Sequence, residues 1–327
     1  MSNFLSQYQK AFESYLAEYT FLSEPRGLYE PIDYIMRLGG KRLRPVALLM
    51  AADAFGKTPK QATKAALAFE VFHNFSLVHD DIMDEAPLRR GMPAVHTKYD
   101  LNTGILSGDL MLIKSYELLQ QAVPTELLSP VLQLFNQTAK EVCEGQQMDV
   151  DFEESQSVQL EEYIRMIELK TSVLFAACLE VGALLGGASA ADARRLYEYG
   201  RHIGIAFQIQ DDILDTYGDP EKFGKKVGGD IVQNKKTFLV LTCFEKASSE
   251  DQAALRQLMQ DKPADEAGKI AAVRAIFDRV GIRELAEEVK QDFKRKGLAF
   301  LNDLENAQSA SIAQFQGLAE FLLGRDQ

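Results

Sequence analysis

Cysteine is scarce: Cys143, Cys178 and Cys243 are the only three in 327 residues, far apart and without C-x-x-C spacing. That argues against a disulfide framework and fits buried thiols in a reducing compartment. The histidines and cysteines form no zinc-type ligand set. The calcium loop D-x-[DN]-x-[DN]-G is absent, and so is the phosphate loop G-x-x-x-x-G-K-[ST]. No fixed-period repeat, low-complexity tract or long linker divides the chain, so one domain over 1–327 is expected. Positive charge is also short, 36 Lys and Arg against 48 Asp and Glu, for a net charge of −12. General nucleic-acid or anionic-membrane binding needs a basic face, so both are disfavoured; a local basic pocket is not. The N-terminus has no signal-type apolar core. The most apolar stretch, VLFAACLEVGALLGG (173–187), is too short to span a bilayer and contains Glu180. The expectation is a soluble, cytoplasmic protein with no stable membrane insertion.

Sustained strict alternation of apolar and polar residues is missing too, so no sheet is expected. Helical patterning dominates instead. Helices are expected over 44–56, 62–85, 103–121, 125–147, 158–186, 190–217, 229–246, 264–280 and 282–306. The fold class is therefore all-α, a bundle of mostly antiparallel helices. Several helices are apolar on more than one stripe, which suits central helices or ones shared with a second subunit. A homodimer is the expected assembly.

Against this background the stretch LVHDDIMDEAPLRRG (77–91) stands out. It crowds Asp80, Asp81, Asp84 and Glu85 together, then Arg89 and Arg90. Its D-D-x-x-D spacing returns in FQIQDDILDTYGD, as Asp211, Asp212 and Asp215. On a helix, residues four apart lie one turn apart on one face, so Asp80 pairs with Asp84 and Asp211 with Asp215. Like charges at that spacing destabilise a helix modestly. Two copies point to a cation between the carboxylates. Helix-borne carboxylates suit Mg²⁺, which keeps several waters and shares its shell with substrate phosphate oxygens.

Basic segments accompany both copies. GGKRLRP (39–45) holds Lys41, Arg42 and Arg44; Lys170-Thr171 interrupts an apolar helix; GKKVGGDIVQNKK (224–236) carries Lys225, Lys226, Lys235 and Lys236. Taken singly, each is a solvated patch. Together they supply two anion sites, one bridged by Mg²⁺ and one held by basic residues alone.

GGKRLRP, LVHDDIMDEAPLRRG, SGDLM (107–111), EGQQMD (144–149), Lys170-Thr171, QIQDDILD (208–215) and GDPEKFGKKVGGDIVQNKKT (218–237) resemble, in this order, the trans-prenyltransferases. These are isoprenyl diphosphate synthases such as farnesyl and geranylgeranyl diphosphate synthases. The resemblance implies an all-α bundle around a deep pocket, a homodimer, and three Mg²⁺ in the closed complex. It implies that Asp80, Asp84 and Asp211 ligate Mg²⁺ with Asp81 and Asp215 in support. Arg89, Lys170, Thr171, Gln208, Lys225 and Lys235 would hold an allylic diphosphate. Lys41, Arg44, His73 and Arg90 would hold isopentenyl diphosphate, and Phe207 would line the reacting ends. The implied reaction is ionisation, condensation and elimination, with the proton passing to the released diphosphate. His79 serves equally as a structural hydrogen-bonder, and Arg325 is left out of the site.

The resemblance also bears on product length. Phe75 and Ser76 precede the first motif, and an aromatic at one of these positions, with no insertion in the motif, implies a C20 product with C15 second. A class I terpene cyclase is the enzymatic alternative, but DDILD replaces its N/D-x-x-S/T-x-x-x-E motif and GGKRLRP has no purpose there. A silent partner subunit would lose one motif, and none is lost here.

Overall fold

The computed structural model describes residues 3–155, 157–219, 227–260, 265–305 and 307–324. Among these, helix is almost the only regular structure, as the patterning demands. In chain order the helices are α1 (Asn3–Glu18), α2 (Arg26–Arg37), α3 (Leu43–Ala54), α4 (Pro59–Met83), the short α5 (Val95–Lys98), α6 (Leu101–Ala122) and α7 (Thr125–Glu154). There follow α8 (Leu160–Ile167), a π-helical turn (Glu168–Ser172), α9 (Val173–Gly186), α10 (Ala190–Tyr217), a short α11 (Gly229–Val232) and α12 (Phe238–Lys246). The last are α13 (Ser249–Leu258), α14 (Glu266–Val280), α15 (Ile282–Ala299) with a 3₁₀ turn (Phe300–Asp303), and α16 (Ser309–Leu323).

The differences from the sequence expectation have local causes. α1, α2, α13 and α16 lay outside the helical ranges read from the pattern. The expected helix over 229–246 is two helices, because Asn234 takes a left-handed φ of 60° and Thr237 caps a fresh start at Phe238. A two-stranded ribbon, β1 (Leu88–Arg89) with β2 (Met92–Pro93), turns on left-handed Arg90 and Gly91. The run Leu160–Gly186 is helical throughout and is long and apolar enough to cross a membrane, unlike the shorter segment anticipated; 72% of its most apolar window is buried.

The chain divides into two compact units. The first comprises Met1–Gln137, Ala177–Tyr197 and Leu304–Gln314. Its central helix is α4, which packs on α1, α3 and α6. α4 starts on a capping box between Thr58 and Gln61, with Pro59 at its first position. α9 reaches α3 through glycines: a Cβ on Gly182 would stand 2.3 Å from the Leu48 carbonyl oxygen and 2.9 Å from Ala51 Cβ. Gly182→Ala is therefore expected to lower stability by about 1–3 kcal/mol, the usual cost of overpacking. A thermal melt reads it, and an unchanged midpoint contradicts the close packing.

The second unit comprises Thr138–Ala176, Glu198–Asp303 and Phe315–Gln327. Its core gathers Tyr163, Ile167, Ile209, Ile213, Phe238, Leu239, Val273 and Phe277. The two acidic motifs fall one in each unit.

Candidate active site

In the first unit the acidic motif occupies the end of α4. Asp84 is its C-cap, its N–H bonded to the Asp80 carbonyl at 2.9 Å. The Asp84 side chain is exposed and that of Asp80 half-buried. Asp81, about 100° further round the helix than Asp80, is wholly buried. Arg89 from β1 clamps it, with Nε donating to both carboxylate oxygens at 3.0 and 3.1 Å and Nη2 adding a third bond. Burial alone lowers the Arg89 pKa, but the bond to Asp81 and the charges of Asp81, Asp80 and Asp84 raise it overall.

Arg90 goes the other way. Its left-handed φ of 54° sends the guanidinium to the Gly39 carbonyl, where Nη1 donates. Gly40 has φ +126°, and a Cβ there would stand 3.0 Å from Arg90 Cζ, so the double glycine of GGKRLRP is required. The two adjacent arginines thus serve different groups. Arg44 Nη1 donates to His73 Nε2 at 3.1 Å. Burial, then the charges of Arg44, Arg90, Arg89 and Arg42, hold the His73 pKa well below its usual value, so the ring is neutral and accepts. Arg44 Nε is buried with no hydrogen-bond partner. Arg42 faces inward: Nη1 pairs with Glu70 at 2.6 Å and Nη2 donates to the Met36 carbonyl at 2.7 Å. Arg44 on α3, His73 on α4 and Arg90 in the turn of the ribbon therefore form one basic cluster, beside a loop that Arg42 and Glu70 anchor. Lys41 is exposed on the same loop.

Below the motif, the Phe75 ring lies 5.5 Å from Phe72 and 4.9 Å from His79. Phe72 continues to Phe135 at 5.1 Å, and Phe135 to Tyr116 at 5.0 Å. Ser76 Oγ donates to the His73 carbonyl at 2.8 Å.

In the second unit, Lys170 and Thr171 sit in the π-helical turn, a form that often marks a functional position. Lys170 Nζ meets Asp149 Oδ2 at 2.6 Å. A Cβ on Gly145 would lie 2.3 Å from the Lys170 backbone nitrogen, so α7 closes tightly on this turn. Asp211, Asp215, Phe207 and Gln208 are half-buried along α10. Asp215 Oδ2 accepts the Asp230 N–H at 3.0 Å, and Lys235 Nζ lies 3.8 Å from Asp230 Oδ1. Lys236 donates to the Phe152 and Glu153 carbonyls, so it points into backbone. Burial, with the charges of Asp230 and Asp211, pushes the Asp212 carboxyl up to about 8, against hydrogen bonds from Tyr163 and Phe238 N–H. Lys225, Lys226 and Arg325 lie outside the described residues.

Paired hard carboxylate oxygens one turn apart, with Asp84 open to solvent, fit Mg²⁺ that completes its shell with water and phosphate oxygens. Among the described residues no group of three or more His, Cys, Asp or Glu side chains forms a cage.

The polyprenyl synthetase family model matches residues 25–276. The chain belongs to the polyprenyl synthetase family. It is thus a prenyltransferase. It is 46% identical to a geranylgeranyl diphosphate synthase of Methanosarcina mazei over 227 residues, 69% of this chain and 70% of that one. It is 36% identical to a geranylfarnesyl diphosphate synthase of Natronomonas pharaonis over 93% of this chain and 92% of that one. A crystal structure of a geranylgeranyl pyrophosphate synthase superposes with a TM-score of 0.94 at 41% identity, covering 99% of both chains.

Within this polyprenyl synthetase, sequence reasoning gave no role to two of the quoted motifs. In EGQQMD, Gly145 and Asp149 seat Lys170. In SGDLM, a Cβ on Gly108 would fall 2.2 Å from His79 Nε2, and His79 lies 3.2 Å from the Ile105 carbonyl oxygen. The partners of both motifs are distant in sequence, so local spacing could not assign them.

Proposed function

We propose that the protein condenses isopentenyl diphosphate with an allylic diphosphate and stops at the C20 geranylgeranyl product, with C15 farnesyl as the second outcome. The observation that carries it is the split of cationic side chains. Arg44 bonds to His73 and Arg90 to the Gly39 carbonyl, with no acidic motif residue in either bond, whereas Arg89 is bound to Asp81. One anion site relies on basic groups; the other combines them with carboxylates.

The proposed division of labour follows. Asp80, Asp84 and Asp211, with Asp81 and Asp215 in support, hold Mg²⁺, which neutralises the leaving diphosphate. Arg89, Lys170, Thr171, Gln208, Lys225 and Lys235 bind that diphosphate, so its C1–O bond breaks with the electron pair leaving on oxygen. Lys41, Arg44, His73 and Arg90 fix isopentenyl diphosphate so that its double bond meets C1. A C2 proton then leaves to the released diphosphate. Phe207 lines the reacting ends. The chain works as one polyprenyl synthase domain in the cytoplasm.

Phe75 supports the C20 limit, because it is an aromatic backed by Phe72 and Phe135 and does not stand alone. Phe75→Ala should lengthen the product by one or more C5 units, and Ser76→Phe should shorten it. Reversed-phase chromatography of dephosphorylated products from dimethylallyl, geranyl and farnesyl diphosphate starters tests both. An unchanged distribution in both variants places the stop elsewhere.

A homodimer is proposed as well. Leu101, Ile105, Leu106 and Ile113 leave large apolar side chains exposed on α6. Ile113→Lys is expected to shift light-scattering mass from dimer towards monomer; a monomeric parent protein overturns the assembly.

A further inference from the structure

The middle aspartate of the second acidic motif has no place in the scheme above, and its surroundings differ from those of its neighbours. Asp212 is turned about 100° from Asp211 on α10 and is 7% exposed. Its Oδ2 accepts two hydrogen bonds, from the Tyr163 hydroxyl at 2.7 Å and from the Phe238 N–H at 3.0 Å. Tyr163 lies on α8, seven residues before Lys170. Phe238 opens α12, three residues after Lys235, and its N–H is one of the donors that a helix start leaves unmatched. The surrounding core is apolar, with Ile209, Ile213, Ile167 and Leu239. A broken bond there is left exposed to the full desolvation penalty. From the other side, Asp215 binds the Asp230 N–H through its carboxylate and the Gly228 N–H through its carbonyl. The segment bearing Lys235 is thus tied to α10 at both ends.

We propose that Asp212 is a positioning residue and not a metal ligand: through Tyr163 and Phe238 it sets where Lys170, Thr171 and Lys235 stand with respect to Asp211. The proposal rests on the reading that these groups serve the allylic diphosphate. It goes beyond that reading in giving Tyr163 and Asp212 a joint role in affinity for one substrate. Neither residue belongs to the Arg44, His73 and Arg90 cluster.

The test uses the full chain as Tyr163→Phe, Asp212→Asn and Asp212→Ala. Initial rates are measured against farnesyl diphosphate and isopentenyl diphosphate separately, and calorimetry follows inorganic pyrophosphate with Mg²⁺. Tyr163→Phe and Asp212→Ala are expected to raise KM for farnesyl diphosphate about tenfold, the scale of one buried hydrogen bond. KM for isopentenyl diphosphate should stay within about twofold, since its cluster keeps every contact. Pyrophosphate affinity should fall in parallel with the allylic effect. Asp212→Asn keeps an acceptor oxygen for both donors and is expected to recover most of the loss. A helix cap without a positioning role would lower the amount of active enzyme and leave both KM values alone, which overturns the proposal. A raised Mg²⁺ requirement in Asp212→Asn also overturns it, by making Asp212 a ligand. Should Asp212→Ala not fold, Tyr163→Phe carries the comparison. An active parent protein with no KM shift in Tyr163→Phe sinks this inference alone; a parent with no condensation activity sinks the functional reading.

Discussion

Asp80→Ala and Asp211→Ala, each made alone, are expected to lower turnover by about 10²–10³-fold or more, the scale for losing one preorganised electrostatic group at a reacting centre. The fold should survive both changes. Neither carboxylate belongs to a buried core: Asp80 and Asp211 are half-buried. Removing either also relieves a like-charge pair one helical turn apart. The loss therefore belongs to metal and diphosphate binding, and excess Mg²⁺ should recover part of it. Circular dichroism and initial rates across a Mg²⁺ titration measure both halves. Near-normal turnover in either variant, or in excess EDTA, contradicts the metal assignment. Asp81→Ala is a different experiment, because it strands Arg89 without its clamp, and its loss should appear in stability as well as rate.

Arg44→Ala is expected to raise KM for isopentenyl diphosphate by about 30-fold or more, as truncating a buried charged partner does. Its effect on the allylic substrate should be small. Lys235→Ala should do the reverse. The first residue sits with His73 and Arg90; the second lies beside Asp230, which Asp215 holds. Arg44→Ala should also leave the melting temperature unchanged or slightly higher. Its guanidinium is half-buried near Arg90, and its Nε has no partner. Separate KM measurements for the two substrates decide the matter. Equal shifts in both for both variants would mean a single shared anion site.

The helices and the two acidic faces were legible because both depend on short-range spacing. Four-residue separation on a helix fixes Asp80 with Asp84 and Asp211 with Asp215, whatever else the chain does. The same spacing could not show that Asp81 and Asp212 turn inward, since burial depends on the neighbouring elements. Arg89 illustrates the limit. As a sequence feature it is one of two basic neighbours; in the structure a left-handed Arg90 parts the pair, and Asp81 claims Arg89. Asp149 and Tyr163 were invisible for a further reason. Their partners, Lys170 and Asp212, lie 21 and 49 residues away, beyond any local pattern. The break between α11 and α12 falls in the polar run from Gln233 to Thr237, which by itself reads as well as an exposed helical face; left-handed Asn234, whose side chain accepts from Lys269, interrupts the helix.

The most direct test of the account is incorporation of radiolabelled isopentenyl diphosphate into acid-labile prenyl product, with farnesyl diphosphate as starter, in Mg²⁺ and in excess EDTA. The account predicts a product one C5 unit longer than the starter, formed only with the metal and only when both substrates are present. Consumption of farnesyl diphosphate to a hydrocarbon without isopentenyl diphosphate, or no incorporation from any allylic starter in Mg²⁺, would contradict it.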